Sequence, residues 1–106
     1  MDYAKDEVIN SAKNIIISLT AKHNIKAAYI FGSYSRGTQT HYSDIDLAVV
    51  LEKIRDGSPF NQAFEIFNEV QEKDSLFEVV CFSENEFIND EQEVIKHIKK
   101  DGIKIY

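Results

Sequence analysis

The sequence predicts an α/β fold (α+β), a single domain over residues 1–106 in which a small mixed β-sheet is flanked by helices. Helix-like and strand-like segments alternate along the chain, in the order α-β-turn helix-β-α-β-α-β. The chain length suits one domain with a buried core. Crossovers between the strands would place helices on one or both faces of the sheet.

The first half of the chain supplies a helix and two strands. A helix is predicted over residues 3–23, with Asp2 as its N-cap and His23 at its end. Strands are predicted at Ala27–Phe31 and Asp44–Leu51. The predicted helix has one apolar face, formed by Val8, Ile9, Ala12, Ile15, Ile16 and Leu19.

The second half supplies two longer helices, a strand and a terminal extended segment. Ser58 and Pro59 form a helix start. The apolar face of this helix is predicted to pack on the sheet rather than bind a partner, and it comprises Phe60, Ala63, Phe64, Phe67 and Val70. A strand follows at Leu76–Phe82. The remaining features are a capping box at Ser83–Glu86, a second capping signal at 90–93, a helix stop at Gly102 and an extended tail at 103–106.

Charge and composition limit the function. The formal net charge of −6 and the absence of a Lys/Arg cluster argue against direct binding to nucleic acid. One cysteine, Cys81, excludes an intrachain disulfide and is interpreted as a buried small hydrophobe. No signal peptide or long apolar run is present, which predicts a cytoplasmic protein with no membrane association.

A glycine-serine turn follows the first predicted strand. Gly32 allows the backbone to approach a ligand closely, and a helix beginning at Ser33 would offer free N–H groups to an anion. Arg36 lies one turn further on and could contact phosphate or brace the turn. These residues are candidates for nucleotide binding. The spacing fits neither a Walker A loop nor a dinucleotide fingerprint.

Two carboxylates open the second predicted strand. Asp44 and Asp46 lie at positions i and i+2, so they point to the same face. Such a pair favours a hard cation shared with substrate phosphates, and two Mg²⁺ ions could be held there. The alternative is a strand that starts in a solvated acidic turn.

The combined pattern of Gly32-Ser33, Arg36-Gly37, Ser43 and Asp44-Ile45-Asp46 resembles the DNA polymerase β-like nucleotidyltransferase superfamily. More narrowly, the chain is similar to minimal nucleotidyltransferase (MNT) antitoxins, which act on HEPN-domain toxins. The resemblance implies a palm-like nucleotidyltransferase core. It also implies a third carboxylate on a later strand, and Glu78 stands there where the family usually has Asp. The alternative for Glu78 is a solvent-facing acid of an edge strand.

The resemblance implies a Mg²⁺-dependent transfer of AMP from ATP to a hydroxyl, a tyrosine of the cognate HEPN toxin. Asp44, Asp46 and Glu78 would be catalytic and metal-binding. His41 and Tyr42 are near this chemistry by sequence only. Two other functions remain open: an inactive MNT module that neutralises the toxin by binding, and a small-molecule transferase of the aminoglycoside type. A homo-oligomer or a hetero-oligomer with the toxin is compatible with either antitoxin function.

Overall fold

The computed structural model describes residues 5–32, 45–53 and 59–106, and only the backbone of Lys5, Lys53, Pro59 and Phe60 within them. The described helices and strands follow the predicted order, and the turn helix expected after the first strand lies outside the described residues. The helices are α1 (Lys5–Leu19), α2 (Pro59–Lys73), α3 (Glu84–Ile88) and α4 (Glu93–Asp101). The strands are β1 (Asn24–Phe31), β2 (Ile45–Lys53), β3 (Phe77–Ser83) and β4 (Ile103–Lys104).

The four strands form one mixed sheet in the order β3-β2-β1-β4. β1 pairs antiparallel with both β2 and β4, whereas β2 and β3 run parallel. A parallel pair needs a long crossover connection, and α2 lies within the one between β2 and β3. The predicted mixed sheet with flanking helices is therefore confirmed.

Each face of the sheet carries its own apolar cluster. On one face α1 and α2 cover alternate residues of the strands, with Ile16, Leu47, Ile66 and Phe77 fully buried. On the other face α3 and α4 pack against part of the sheet, and the smaller cluster there comprises Ala27, Ala48, Val50, Phe82, Phe87, Ile95 and Ile98. Helices thus lie on both faces. Within the described part of the chain, none of the helices has the length and apolar character needed to cross a membrane.

The first helix is shorter than predicted. It ends at Leu19, and the backbone N–H groups of Lys22 and His23 donate to the Leu19 carbonyl in a turn that leads into β1. His23 therefore lies four residues beyond the end of α1 rather than in its last turn, and its side chain is fully buried and contacts α2. The predicted cap, Asp2, lies outside the described residues.

The face of α2 that packs on the sheet differs from the predicted one. Phe64 and Phe67 are 60% and 38% exposed, so the expectation that they pack in the core is wrong. The buried positions are Gln62, Ile66 and Val70, spaced four residues apart, and of these only Val70 was on the predicted face. The helix does begin at Pro59, as predicted.

The two helix starts near the C-terminus differ from each other. The capping box of α3 is confirmed, because the Ser83 hydroxyl accepts from Glu86 N–H and the Glu86 carboxylate accepts from Ser83 N–H. The second predicted capping signal is wrong, since Gln92 is the N-cap of α4 and makes no side-chain capping bond. Gly102 ends α4 as predicted.

Candidate active site

Gly32 turns the chain at the C-terminal end of β1. Its φ of +75° lies in the left-handed region, which costs glycine little and residues with a Cβ considerably more. A Cβ at this position would overlap Oδ2 of Asp46. Glycine is therefore required here for two reasons, backbone conformation and the approach of a carboxylate. This contact joins the two halves of the sequence motif in space.

Asp46 is the second residue of β2 and is paired on both sides. It lies opposite Phe31 of β1 in the antiparallel ladder and opposite Glu78 of β3 in the parallel ladder. The Ile45 N–H donates to the Leu76 carbonyl at 2.8 Å, which fixes the register of β2 and β3 next to the two acids. Residues paired across neighbouring strands point to the same face, with their strands about 4.8 Å apart. Asp46 and Glu78 are thus neighbours.

Glu78 is held in place by the turn that connects α2 to β3. The Gln71 amide donates to the Phe77 carbonyl at 2.6 Å, and the Asp74 carboxylate accepts from Leu76 N–H at 3.0 Å. Both contacts fix the strand just before Glu78. The Glu78 side chain is exposed and shares its face of β3 with Val80 and Phe82.

The sheet face that carries the two acids is covered by helices only over part of its length. Phe82 is buried at one end, where its ring lies 6.3 Å from that of Phe87 in α3. Two residues earlier in the strand Val80 is 39% exposed, and Glu78 beyond it is exposed as well. The acids therefore lie on an accessible stretch of sheet. Glu78 is exposed and Asp46 half-buried, and none of the described helices covers the two acids.

The structure brings three of the predicted site residues together, namely Gly32, Asp46 and Glu78. The other three, Ser33, Arg36 and Asp44, lie outside the described residues, as do His41 and Tyr42. The catalytic, nucleotide-binding and metal-binding roles of all six remain predictions. Sequence reasoning did not single out Phe31 as a neighbour of Asp46, although it precedes the motif glycine.

Cys81, the residue after Val80, is not a plausible nucleophile. Desolvation by burial raises the pKa of its thiol from 9.0 to about 12. The reactive thiolate is therefore scarce at neutral pH. Its largely buried position agrees with the prediction of a small hydrophobic residue.

The chemistry of this site is that of hard oxygen donors on an open surface. Asp46 and Glu78 each offer a carboxylate, and such ligands suit Mg²⁺, which usually takes one or two carboxylates and completes its shell with water and substrate phosphates. The close approach at Gly32 places the backbone turn directly against one of these carboxylates. A phosphate chain on that turn would therefore reach the same cation.

Comparison with protein families gives a match over most of the chain. Residues 13–106 match the family described as polymerase beta, nucleotidyltransferase. A 41-residue stretch is 51% identical to a protein of Methanocaldococcus jannaschii named as a protein adenylyltransferase. That stretch spans 39% of this chain and 44% of the archaeal protein.

Solved structures give similar folds. A nucleotidyltransferase from Sulfolobus solfataricus superimposes with a TM-score of 0.70 at 22% identity, over 96% of this chain and 82% of that one. A toxin–antitoxin structure with AMP-PNP gives a TM-score of 0.61 at 26% identity, over 89% and 72% of the two chains. The complex of a tri-AMPylated Shewanella oneidensis HEPN toxin with an MNT antitoxin gives 0.58 at 22% identity, over 92% and 71%.

Proposed function

Because this chain belongs to the polymerase β nucleotidyltransferase family, we propose that it transfers AMP from ATP to a tyrosine hydroxyl of a HEPN toxin and thereby acts as an antitoxin. The observation that carries the proposal is the meeting of Gly32, Asp46 and Glu78 on an open stretch of the sheet. A turn suited to phosphate and two neighbouring carboxylates are the parts that phosphoryl-group transfer needs.

The nucleotide would lie on the glycine turn. The backbone at Gly32 and the side chains of Ser33 and Arg36 would bind the triphosphate. Asp46 and Glu78, with Asp44, would hold Mg²⁺, which would neutralise phosphate charge and lower the pKa of the attacking hydroxyl. The AMP-PNP in a similar toxin–antitoxin structure supports a nucleotide with an adenine base.

The transfer would be an in-line displacement at the α-phosphorus. The acceptor oxygen forms a bond to phosphorus as the bond to the bridging oxygen of pyrophosphate breaks. The hydroxyl proton passes to a carboxylate, for which Glu78 is the candidate base, or to water. The rigid strands β2 and β3 would hold these carboxylates in position, and this positioning would supply much of the acceleration of AMP transfer.

The acceptor is proposed from the relatives. The archaeal relative is named for adenylyl transfer to protein, and a similar fold is found in complex with an AMPylated HEPN toxin. A protein acceptor also fits the accessible face around Glu78 and Val80, which could admit a bulky substrate.

The test is transfer of label from [α-³²P]ATP to the purified toxin partner. Asp46→Asn should lower the rate by at least about 100-fold, since it removes a charge that would be needed in the transition state. Glu52→Gln is the matched control, because Glu52 is an exposed acid on the same strand and face. That variant should label the partner at the wild-type rate.

Other outcomes separate the alternatives. Unimpaired transfer by Asp46→Asn would contradict the role given to this carboxylate. A wild-type chain that neutralises the toxin without labelling it would favour the inactive binding module. Label appearing only on an aminoglycoside would favour the small-molecule transferase.

A further inference from the structure

A second group of ligand-type side chains lies on the opposite face of the sheet. His23, Glu65 and Glu69 each direct one nitrogen or oxygen atom into a common region, and these atoms lie within 4.8 Å of one another. His23 precedes β1, and the two glutamates are four residues apart on α2, so they share one side of that helix. The three residues are brought together only by packing α2 beside the α1–β1 turn.

The imidazole of His23 is fixed by a buried amide. Its side chain is fully buried, and Nδ1 lies 2.9 Å from Nε2 of Gln62, which is 3% exposed. This contact leaves Nε2 of the ring directed at the glutamates. A histidine that binds a metal through one nitrogen characteristically has its other nitrogen held by a polar group. A half-turn of the Gln62 amide would present its oxygen to Nδ1–H, the tautomer required when Nε2 binds a metal.

The distance between His23 and Glu69 is long for a hydrogen bond. Nε2 and Oε1 are 3.4 Å apart, whereas good N–H···O bonds fall at about 2.7–3.2 Å. Two ligands of a tetrahedral zinc ion, each about 2.0–2.1 Å from the metal, are about 3.3 Å apart. The observed separation is therefore also that of two ligands of one zinc ion. The Glu65 oxygen lies within 4.8 Å of both of these atoms.

We propose that His23, Glu65 and Glu69 bind a divalent transition-metal ion, with Zn²⁺ as the best fit, and that Gln62 orients the imidazole. One imidazole nitrogen and two carboxylate oxygens suit zinc, with water in the fourth position. Magnesium is disfavoured because it takes oxygen ligands. The two carboxylates attract a cation, and the exposed Lys22 ammonium, 3.9 Å from Glu69 Oε1, would move away when a divalent ion binds.

This zinc site is separate from the nucleotide centre. The site lies at the start of β1, while Gly32 follows the end of that eight-residue strand, roughly 27 Å away at about 3.4 Å per residue. The two centres also lie on different faces, since α2 covers the face opposite to Asp46. The bound ion would join α2 to the α1–β1 turn and stabilise the fold without entering the transfer reaction.

The test is calorimetric titration of zinc chloride into the full chain after removal of metals with EDTA. We expect one ion per chain, and a melting temperature raised by on the order of 10 °C when free zinc exceeds Kd about 100-fold. Glu65→Gln and Glu69→Gln should each weaken binding by at least about 100-fold, because each removes a direct ligand. Both substitutions keep the side-chain shape, so the chain should still fold.

Two controls locate the ion. Glu72→Gln, which alters an exposed acid on the same helix, should bind zinc like the wild type. Asp46→Asn should also retain binding, because it alters only the other face. Cobalt(II) bound to the wild type should show the visible absorption of a tetrahedral site and lose it in Glu69→Gln. Three results would each overturn the proposal: no zinc binding by the wild type, wild-type affinity in Glu65→Gln and Glu69→Gln, or loss of binding in Asp46→Asn.

Discussion

Substitution of Gly32 by alanine should damage stability and activity together. The left-handed φ of +75° costs an alanine about 1–2 kcal/mol, and the new Cβ would overlap Oδ2 of Asp46. Relief of that overlap by shifting the carboxylate or the strand costs about 1–3 kcal/mol, as for other overpacked sites. The sum, about 2–5 kcal/mol, is a large part of the stability of a domain this size and should lower Tm by about 10–20 °C.

Thermal unfolding and labelled-ATP transfer would measure the two effects. A displacement of Asp46 by about 1 Å should reduce transfer by about 100-fold, even at temperatures where the variant is folded. A double-mutant cycle with Asp46→Ala isolates the overlap, because the double variant keeps the backbone strain but lacks the carboxylate. The stability loss should then shrink to the conformational cost alone.

Gly102→Ala provides the matched control for this prediction. Its Cβ would also overlap a neighbour, the Ile98 carbonyl, but Gly102 has an ordinary φ of −69° and lies at the end of α4. This variant should lose stability and retain the transfer rate of its folded fraction. Wild-type stability and transfer in Gly32→Ala would refute the reasoning about the turn.

Three further predictions concern other parts of the chain. Glu78→Gln should reduce the rate of AMP transfer by at least about 100-fold, whereas Glu78→Asp should retain most of the rate, because the shorter acid keeps the charge on the same face. Equal transfer rates in the two variants would contradict a role for the Glu78 carboxylate. Ile66→Ala should lower the free energy of unfolding by about 2–5 kcal/mol and Phe64→Ala by under about 1 kcal/mol, since Ile66 is fully buried and Phe64 is 60% exposed. Denaturant unfolding measures both values. A larger loss in Phe64→Ala than in Ile66→Ala would contradict the face of α2 assigned to the core. Burial raises the pKa of the Cys81 thiol from 9.0 to about 12, so the buried thiol stabilises the fold below pH 9, and this stability is lost at about 1.4 kcal/mol per pH unit as the pH rises toward 12. Cys81→Ala should therefore weaken the dependence of the unfolding free energy on pH between 9 and 12. An unchanged pH dependence would contradict the raised pKa of Cys81.

Local sequence patterns predicted the elements well and the long-range pairings poorly. Alternation and capping residues located the strands and the start of α3, since those signals lie within a few residues of each other. The pairing of Asp46 with Glu78 depends on the register of two strands separated by a helix, which no local pattern encodes. The family resemblance, rather than the spacing of residues, supplied Glu78 as a candidate.

The errors on α2 have the same physical origin. The core face of α2 was predicted from the large apolar residues Phe64 and Phe67, but packing on the sheet buries Gln62 and Ile66 instead. A buried glutamine is hard to predict because its burial depends on a distant partner, here His23 at 39 residues' separation. The spacing of Glu65 and Glu69 was visible in the sequence, whereas the packing of His23 close to both of them was not.

The central claim is that Asp46 and Glu78 bind the metal ion of the nucleotide complex. The most direct measurement is a crystal structure with Mn²⁺ and a non-hydrolysable ATP analogue, in which anomalous scattering locates the metal. Manganese replaces magnesium at oxygen sites and can be located unambiguously. The account predicts an anomalous peak within coordination distance of carboxylate oxygens of both Asp46 and Glu78, with the triphosphate against the Gly32 turn. A nucleotide bound elsewhere, or a metal on that nucleotide that touches neither carboxylate, would contradict it.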